Sequence, residues 1–333
     1  MEVLLGKTLQ ELQAVALSVG LQKFAGKQLA EWLYVKRVTS FDQMTNISVK
    51  GREALQANYT IGRHAPVREA VSVDGTRKYL FSVGEQFIES VYIPEEDRAT
   101  LCVSTQAGCK MGCKFCMTGT LGFHGHLSAA EILNQIFYFE DLSNIVFMGE
   151  GEPMDNLDQV LRVLEILTSD YGCAWSPKRI TVSTVGIPAM RRFLDESECH
   201  LAVSMHNPFV AERAAIMPAE KLLSITDVVS LIKQYDWSHQ RRVSFEYICW
   251  AGQNDTPRHA KELLRLLKGL NCRINLIRFH AGVDRDFPAS DEKQMEWFRD
   301  YLTANGITTT IRKSRGEDIL AACGMLVNAL ENA

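Results

Sequence analysis

A chain of 333 residues exceeds one average domain and has room for about two. Its 46% hydrophobic and 23% charged content is that of a globular protein. No apolar run approaches the ~20 residues of a membrane span, so no membrane partner is expected. A net charge of −4 argues against gross binding of nucleic acid by charge alone, yet the charge is uneven. Residues 1–80 hold 11 Lys/Arg against 7 Asp/Glu, a balance of +4, and the remainder holds 25 against 33, a balance of −8. A basic leading end on an acidic body can steer a polyanion to one end of the molecule. The opening MEVLLGKTLQELQ has no basic stretch followed by an apolar core, so no secretory signal is read. Nine cysteines, an odd number, read as reduced thiols of a cytoplasmic protein rather than a disulfide framework.

Residues 1–65 read as a small helical domain. LQELQAVALSVGL repeats apolar residues at helical spacing, Gly26 punctuates, and KQLAEWLYVKRV offers Leu29, Trp32, Leu33 and Val35 to one face. Residues 66–98 change character: an Asp74-Gly75 turn between β-rich runs predicts a hairpin extension, and FIESVYI alternates beyond it. From 99 to 333, candidate strands at 99–105, 144–149, 179–184, 200–205, 242–248, 272–277 and 307–312 alternate with helices. Ser128 and Glu131 form a capping-box signature, Asn156 and Gln159 a similar one, and Pro257 after Thr256 marks a first helical position. Such alternation implies parallel βαβ units, too few for an eight-fold barrel. An α/β fold with a partial (β/α)6 barrel follows, its chemistry at the C-terminal strand ends. Residues 149–153, 183–184, 204–206 and 278–280 fall there.

The most telling motif is AGCKMGCKFC, a CxxxCxxC loop formed by Cys109, Cys113 and Cys116. Three thiolates so close can hold three irons of a four-iron, four-sulfur cube, leaving the fourth iron open to bind a small molecule and pass it an electron. A structural zinc site completed by Cys102 or His124 would use the same loop, and spacing alone leaves both readings open.

The whole chain resembles the RlmN/Cfr family of radical S-adenosylmethionine (SAM) RNA adenine methyltransferases. The likeness runs in order from WLY…FDQMTNIS through VYIPEEDRATLCVSTQAGCKMGCKFCMTGTLGF to IRKSRGEDILAACG. It implies a radical-SAM barrel in which Cys109, Cys113 and Cys116 hold one [4Fe-4S] cluster. It also implies that Gly151 and Glu152 of the GEP element meet the SAM amino group, with Ser183, Ser204, Met205 and His206 contacting the rest of SAM. Cys323 matches the cysteine that is itself methylated, Cys102 the thiol that resolves a covalent enzyme–RNA adduct, and Glu89 the acid assigned as proton acceptor. The resemblance further implies that two SAM molecules are consumed per turnover and that a Cys102–Cys323 disulfide forms as the product leaves. Arg312, Lys313 and Arg315 are near in sequence to lower the Cys323 pKa by their charge, and they serve equally well to face phosphate.

Ring carbons 2 and 8 of adenine are poor nucleophiles, so polar methyl transfer from SAM fails there, and the resemblance implies a radical route through a carrier thiol. The leading expectation is methylation of carbon 2 of an adenosine in 23S rRNA, with tRNA as a further substrate. Methylation of carbon 8, which confers resistance to ribosome-targeting drugs, is the alternative. Two rivals remain: a radical-SAM enzyme acting on another RNA or small substrate, and a non-catalytic, metal-stabilised RNA-binding protein. The expected partners are RNA and an external electron donor such as flavodoxin or ferredoxin. Lys178, Arg179, Arg191, Arg192, Arg241 and Arg242 are candidates for backbone contacts to RNA. Two departures mark a divergent member. His280 stands where the family carries an Asn that touches SAM, and Glu150 precedes the GEP element where Met is usual.

Overall fold

The computed structural model describes residues 1–237, 242–280 and 287–326. Its N-terminal segment packs the helices Leu9–Ser18, Ala25–Ala30 and Val49–Asn58, and a short parallel pairing of Glu2–Val3 with Tyr59–Thr60 closes the segment. Thr8 and Glu11 make a reciprocal capping box, and Ser48 caps the third helix. Gly26 does not punctuate. It lies inside the second helix, where a Cβ would sit 2.6 Å from Cγ of Gln13, so its smallness lets two helices touch. A π turn over Glu31–Val35 then shifts the helical phase, burying Tyr34 along with Leu29, Trp32 and Leu33 and turning Val35 out to solvent.

The centre is one ten-stranded sheet whose strands lie side by side in chain order. They are β1 (Arg68–Val71), β2 (Arg77–Val83), β3 (Gln86–Pro94), β4 (Ala99–Cys102), β5 (Asn144–Phe147), β6 (Ile180–Thr184), β7 (His200–Ser204), β8 (Val243–Cys249), β9 (Cys272–Arg278) and β10 (Thr308–Ile311). From β4 to β10 every pairing is parallel, giving seven strands and six crossovers, and every expected strand is present. The sheet is open, with β1 and β10 at its edges. Alternation decides which side is chemical. On β8, Val243, Phe245 and Tyr247 belong to the hydrophobic core, and Tyr247 stacks at 5.6 Å on Phe298 of the helix Glu292–Ala304. Ser244 and Glu246 point instead into a cavity on the other face. The Ser128–Glu131 capping box forms as expected, whereas Asn156 caps nothing; its amide donates to the carbonyls of Thr105 and Leu127, and Gln159 accepts from Ala129 N–H.

The hairpin turn is also where the sequence puts it, with Gly75 at φ +83° and Ser72 bonded to Thr76. Strands β1 to β3 do not stand apart as a linker. They run antiparallel and extend the parallel sheet through β3 against β4. Register puts Lys78 opposite Val91 and Val91 opposite Cys102, so one face of three adjacent strands carries Lys78, Glu89, Val91 and Cys102. The C-terminal residues 312–326 lie across that face, where Val91, Ala321 and Leu326 form a small apolar cluster.

Candidate active site

A short antiparallel clasp of Gln106–Gly108 with Phe123–His126 closes the cysteine loop. Gly108 (φ +70°) is obligatory, because a Cβ there would lie 1.9 Å from the Gly122 carbonyl that accepts Cys109 N–H. Cys109, Cys113 and Cys116 open onto one cavity of about 140 Å³. Burial pushes the Cys109 thiol up to about 12 and raises Cys113 and Cys116, with the neighbouring thiols adding to the rise at Cys113. Such thiols favour being thiolates only with cations beside them, which a polynuclear iron site supplies. Among the described residues no three His, Cys, Asp or Glu side chains converge on the position of a single metal ion. Three thiols on one cavity are a donor set that fits a cluster, in which each thiolate would bind its own iron.

The same cavity is lined by Gly151, Glu152, Ser183, Ser204 and His206, each from the C-terminal end of a parallel strand. Gly151 (φ +96°) packs so tightly that a Cβ would meet Gln106 at 2.5 Å. Glu152 is 2% exposed, and both its oxygens accept backbone N–H groups, from Met154 (3.1 Å) and Val185 (2.9 Å). Burial nevertheless lifts its pKa to about 7. His206 takes a left-handed φ of +53°, accepts Ile248 N–H at Nδ1 (3.1 Å), and meets Phe115 edge-on at 4.7 Å. Burial, reinforced by the Arg213 charge, lowers it to about 3, so the ring is neutral at pH 7. Arg213 is fully buried beneath these strand ends. It pairs with Glu220 and donates to the carbonyls of Val185, Ser204 and Met205. Met205 itself is core and lines neither cavity.

A second cavity of about 670 Å³ runs along the sheet face that carries Ser244 and Glu246 and holds Cys102. Cys323 lines both cavities, and so do Glu246 and Arg312. Burial pushes the Cys102 thiol up to about 12, and proximity to Cys323 adds to the rise. Cys323 is open to the cavity but deep in the protein; burial raises its pKa while Arg312 pulls it back. Arg312 is kept charged chiefly by Glu246, 3.6 Å away, so of the three basic candidates it is the one at the thiols. Arg315 turns to Asp74, and Lys313 lines the large cavity.

Other expectations divide. His280 faces the large cavity, where Ser314 (2.6 Å) and Glu317 (3.3 Å) hold it, and it does not reach the cavity of the three cysteines. Its ring bonds to the C-terminal segment. Glu89 lies beside the large cavity rather than in its wall, paired with Lys78 at 2.9 Å. Lys178 and Arg242 line the large cavity, Arg192 is spent on Asp158 and Glu196, and Arg241 is outside the described residues. The nine cysteines are all free thiols. Sequence reading missed Lys78, Arg213 and Glu246, and named Arg312 only as one of three basic candidates. A lone acid in the otherwise apolar strand VSFEYIC was the one available signal for Glu246.

Comparison with known proteins agrees. Residues 3–61 match the profile of the ribosomal RNA large subunit methyltransferase N-terminal domain, and residues 103–267 that of the radical SAM superfamily. The chain is 59% identical over 331 residues (98% of this chain, 96% of the relative) to a probable dual-specificity RNA methyltransferase RlmN of Bacteroides thetaiotaomicron. It is 40% identical over 328 residues (96% and 94%) to the dual-specificity RNA methyltransferase RlmN of Syntrophus aciditrophicus. A crystal structure of a radical SAM methyltransferase from Sphaerobacter thermophilus superposes with a TM-score of 0.92 at 35% identity, covering 99% of this chain and all of that one. With full-length identity at this level and a shared architecture, the chain belongs to the RlmN family of radical-SAM RNA methyltransferases.

Proposed function

We propose that this RNA methyltransferase acts on carbon 2 of an adenosine in 23S rRNA, with tRNA as a second substrate. One observation carries the reading: Cys323 lines both the cavity of the three cysteines and the larger cavity that holds Cys102. A carrier of a methyl group between SAM and a base must face both. The larger cavity falls within the ~300–1,000 Å³ range of ligand sites, and Lys178, Arg242, Arg273 and Lys313 in its wall suit a phosphate backbone. The target base must leave its stack to enter.

Cys109, Cys113 and Cys116 would hold one [4Fe-4S] cluster, and Glu152, Ser183, Ser204 and His206 would orient SAM. When bound and reduced by an external donor such as flavodoxin or ferredoxin, the cluster would supply the electron that splits SAM to a 5′-deoxyadenosyl radical. Cys323, favoured as thiolate by Arg312, takes the methyl group from a first SAM, and a second SAM serves the radical step. Once the methylene carbon on Cys323 is joined to the ring and the adduct has returned one electron to the oxidised external carrier, Glu89 accepts the ring-carbon proton. Cys102 then attacks the Cys323 sulfur. The S–S bond forms, the bond from Cys323 sulfur to the methylene breaks, and its electron pair stays with the carbon, which takes up a proton to become methyl.

No helix among the described residues is long and apolar enough to cross a membrane, and we assign the reaction to the cytoplasm, where thiols stay reduced. The leading residues 1–65 are the candidate RNA-contacting domain. The test is incubation of the anaerobically reconstituted protein with SAM, reductant and unmodified rRNA or tRNA, followed by mass spectrometry of the nucleosides. Finding 2-methyladenosine supports the proposal, and 8-methyladenosine overturns it in favour of carbon 8. If neither forms while 5′-deoxyadenosine accumulates, the substrate is wrong.

A further inference from the structure

The hairpin grips the segment that carries Cys323 at three points. Asp318 accepts from Ser72 Oγ (2.5 Å) and Val73 N–H (3.1 Å), and Asp74 accepts Gly316 N–H (3.0 Å). Further along β2, Lys78 Nζ lies 2.9 Å from Glu89 Oε1 and donates to the Leu320 carbonyl at 3.4 Å. The Lys78 and Glu89 side chains are 12% and 3% exposed, so this ion pair is little screened by solvent. Lys78 and Glu89 share one sheet face with Cys102, whose strand partner Val91 stands between them. One ammonium group thus fixes the position of a carboxylate relative to the chain three residues before Cys323.

We propose that Lys78 is a positioning residue for the release half of the reaction. It holds the Glu89 carboxylate in register with the segment bearing Cys323, so that the base is aligned when the ring proton must be removed. The inference rests on the role of Glu89 proposed above. An ammonium suits this task because its three donors can serve a carboxylate and a carbonyl together, a pattern a neutral isostere cannot copy.

The test compares Lys78→Met and Lys78→Arg with the wild type and Glu89→Gln, all full-length and reconstituted. In Lys78→Met, methylation of Cys323, read by peptide mass, and the KM for RNA stay at wild-type levels. Its kcat falls roughly tenfold or more, below the ~10²–10⁴ a general base itself contributes, and the covalent protein–RNA adduct accumulates on a denaturing gel. Lys78→Arg, which keeps charge and donors, recovers most of the rate and clears the adduct.

Wild-type kcat in Lys78→Met with no adduct, beside a Glu89→Gln variant that traps adduct, overturns the inference alone. So does a loss that tracks Cys323 methylation and thermal stability and is not rescued by Arg, which marks a merely structural role. If Glu89→Gln itself turns over normally, the Glu89 reading fails and takes the inference with it.

Discussion

The two faces of β2 and β3 are made of alternate residues of the same two strands, and they are built to different rules. On one, Phe81 meets Tyr138 at 6.0 Å, Tyr79 meets Phe139 at 5.0 Å, and Ser90 Oγ donates to Gln135 Oε1 at 2.7 Å. That face buries aromatic area against the Ala129–Phe137 helix and the residues just after it. The other pairs Lys78 with Glu89 and bonds Lys78 to the Leu320 carbonyl of the C-terminal segment. Because the side-chain period of a strand is two, cohesion and chemistry can share a backbone without sharing a residue.

Substitutions can break that division, and they rank by expected effect. Cys323→Ala removes the methyl carrier, so no methyladenosine should be detected by nucleoside mass spectrometry. Its urea midpoint should stay at the wild-type value, since the thiol is open to the cavity. Phe81→Ala empties a fully buried site on the cohesive face and should cost about 3–5 kcal/mol in urea unfolding. Ser90→Ala loses one buried hydrogen bond, but Gln135 Oε1 still accepts Ser104 N–H. A cost of about 1 kcal/mol, with Cys323 methylation unchanged, is expected in the same assay.

The smallest effect is at Asp74→Asn, under about 1 kcal/mol at neutral pH. Burial opposes ionisation of Asp74, yet hydrogen bonds from Thr76 and the Gly316 N–H hold its carboxyl down to about 2. A carboxyl with a depressed folded pKa stabilises above its unfolded value of ~3.9 and loses that contribution as pH falls through the folded value. The difference between wild type and Asp74→Asn in thermal unfolding should therefore be present at pH 6, shrink as pH falls toward 2 and vanish below it. A difference that grows toward acid would contradict the bond from Gly316 N–H to the Asp74 carboxylate.

What the sequence made legible follows local chemistry. The parallel strands announce themselves as apolar runs between capped helices, and the cysteine loop is read from spacing within eight residues. Misreadings came where packing overrules local preference. Gly26 looks like a breaker until a second helix is seen against it, and Asn156 looks like a cap until two distant carbonyls claim its amide. The hidden part of the site is long-range. Arg312 and Glu246 are 66 positions apart, and Lys78 meets Leu320 across 242. No periodicity encodes such pairs. Lys78 and Glu89 look like ordinary solvated charges on strands, and only the segment laid over them makes them otherwise.

That segment also sets an order of events in the maturing chain. It is tied to the hairpin at Ser72, Val73 and Asp74, and to the cysteine loop by Met117 N–H to the Gly324 carbonyl (2.7 Å) and Thr118 Oγ1 to the Leu326 carbonyl (3.0 Å). Contacts spanning more than two hundred residues carry a large loop-closure cost, which is lower once the sheet between them exists. Residues 324 and 326 of that segment then dock on the turn that follows Cys116.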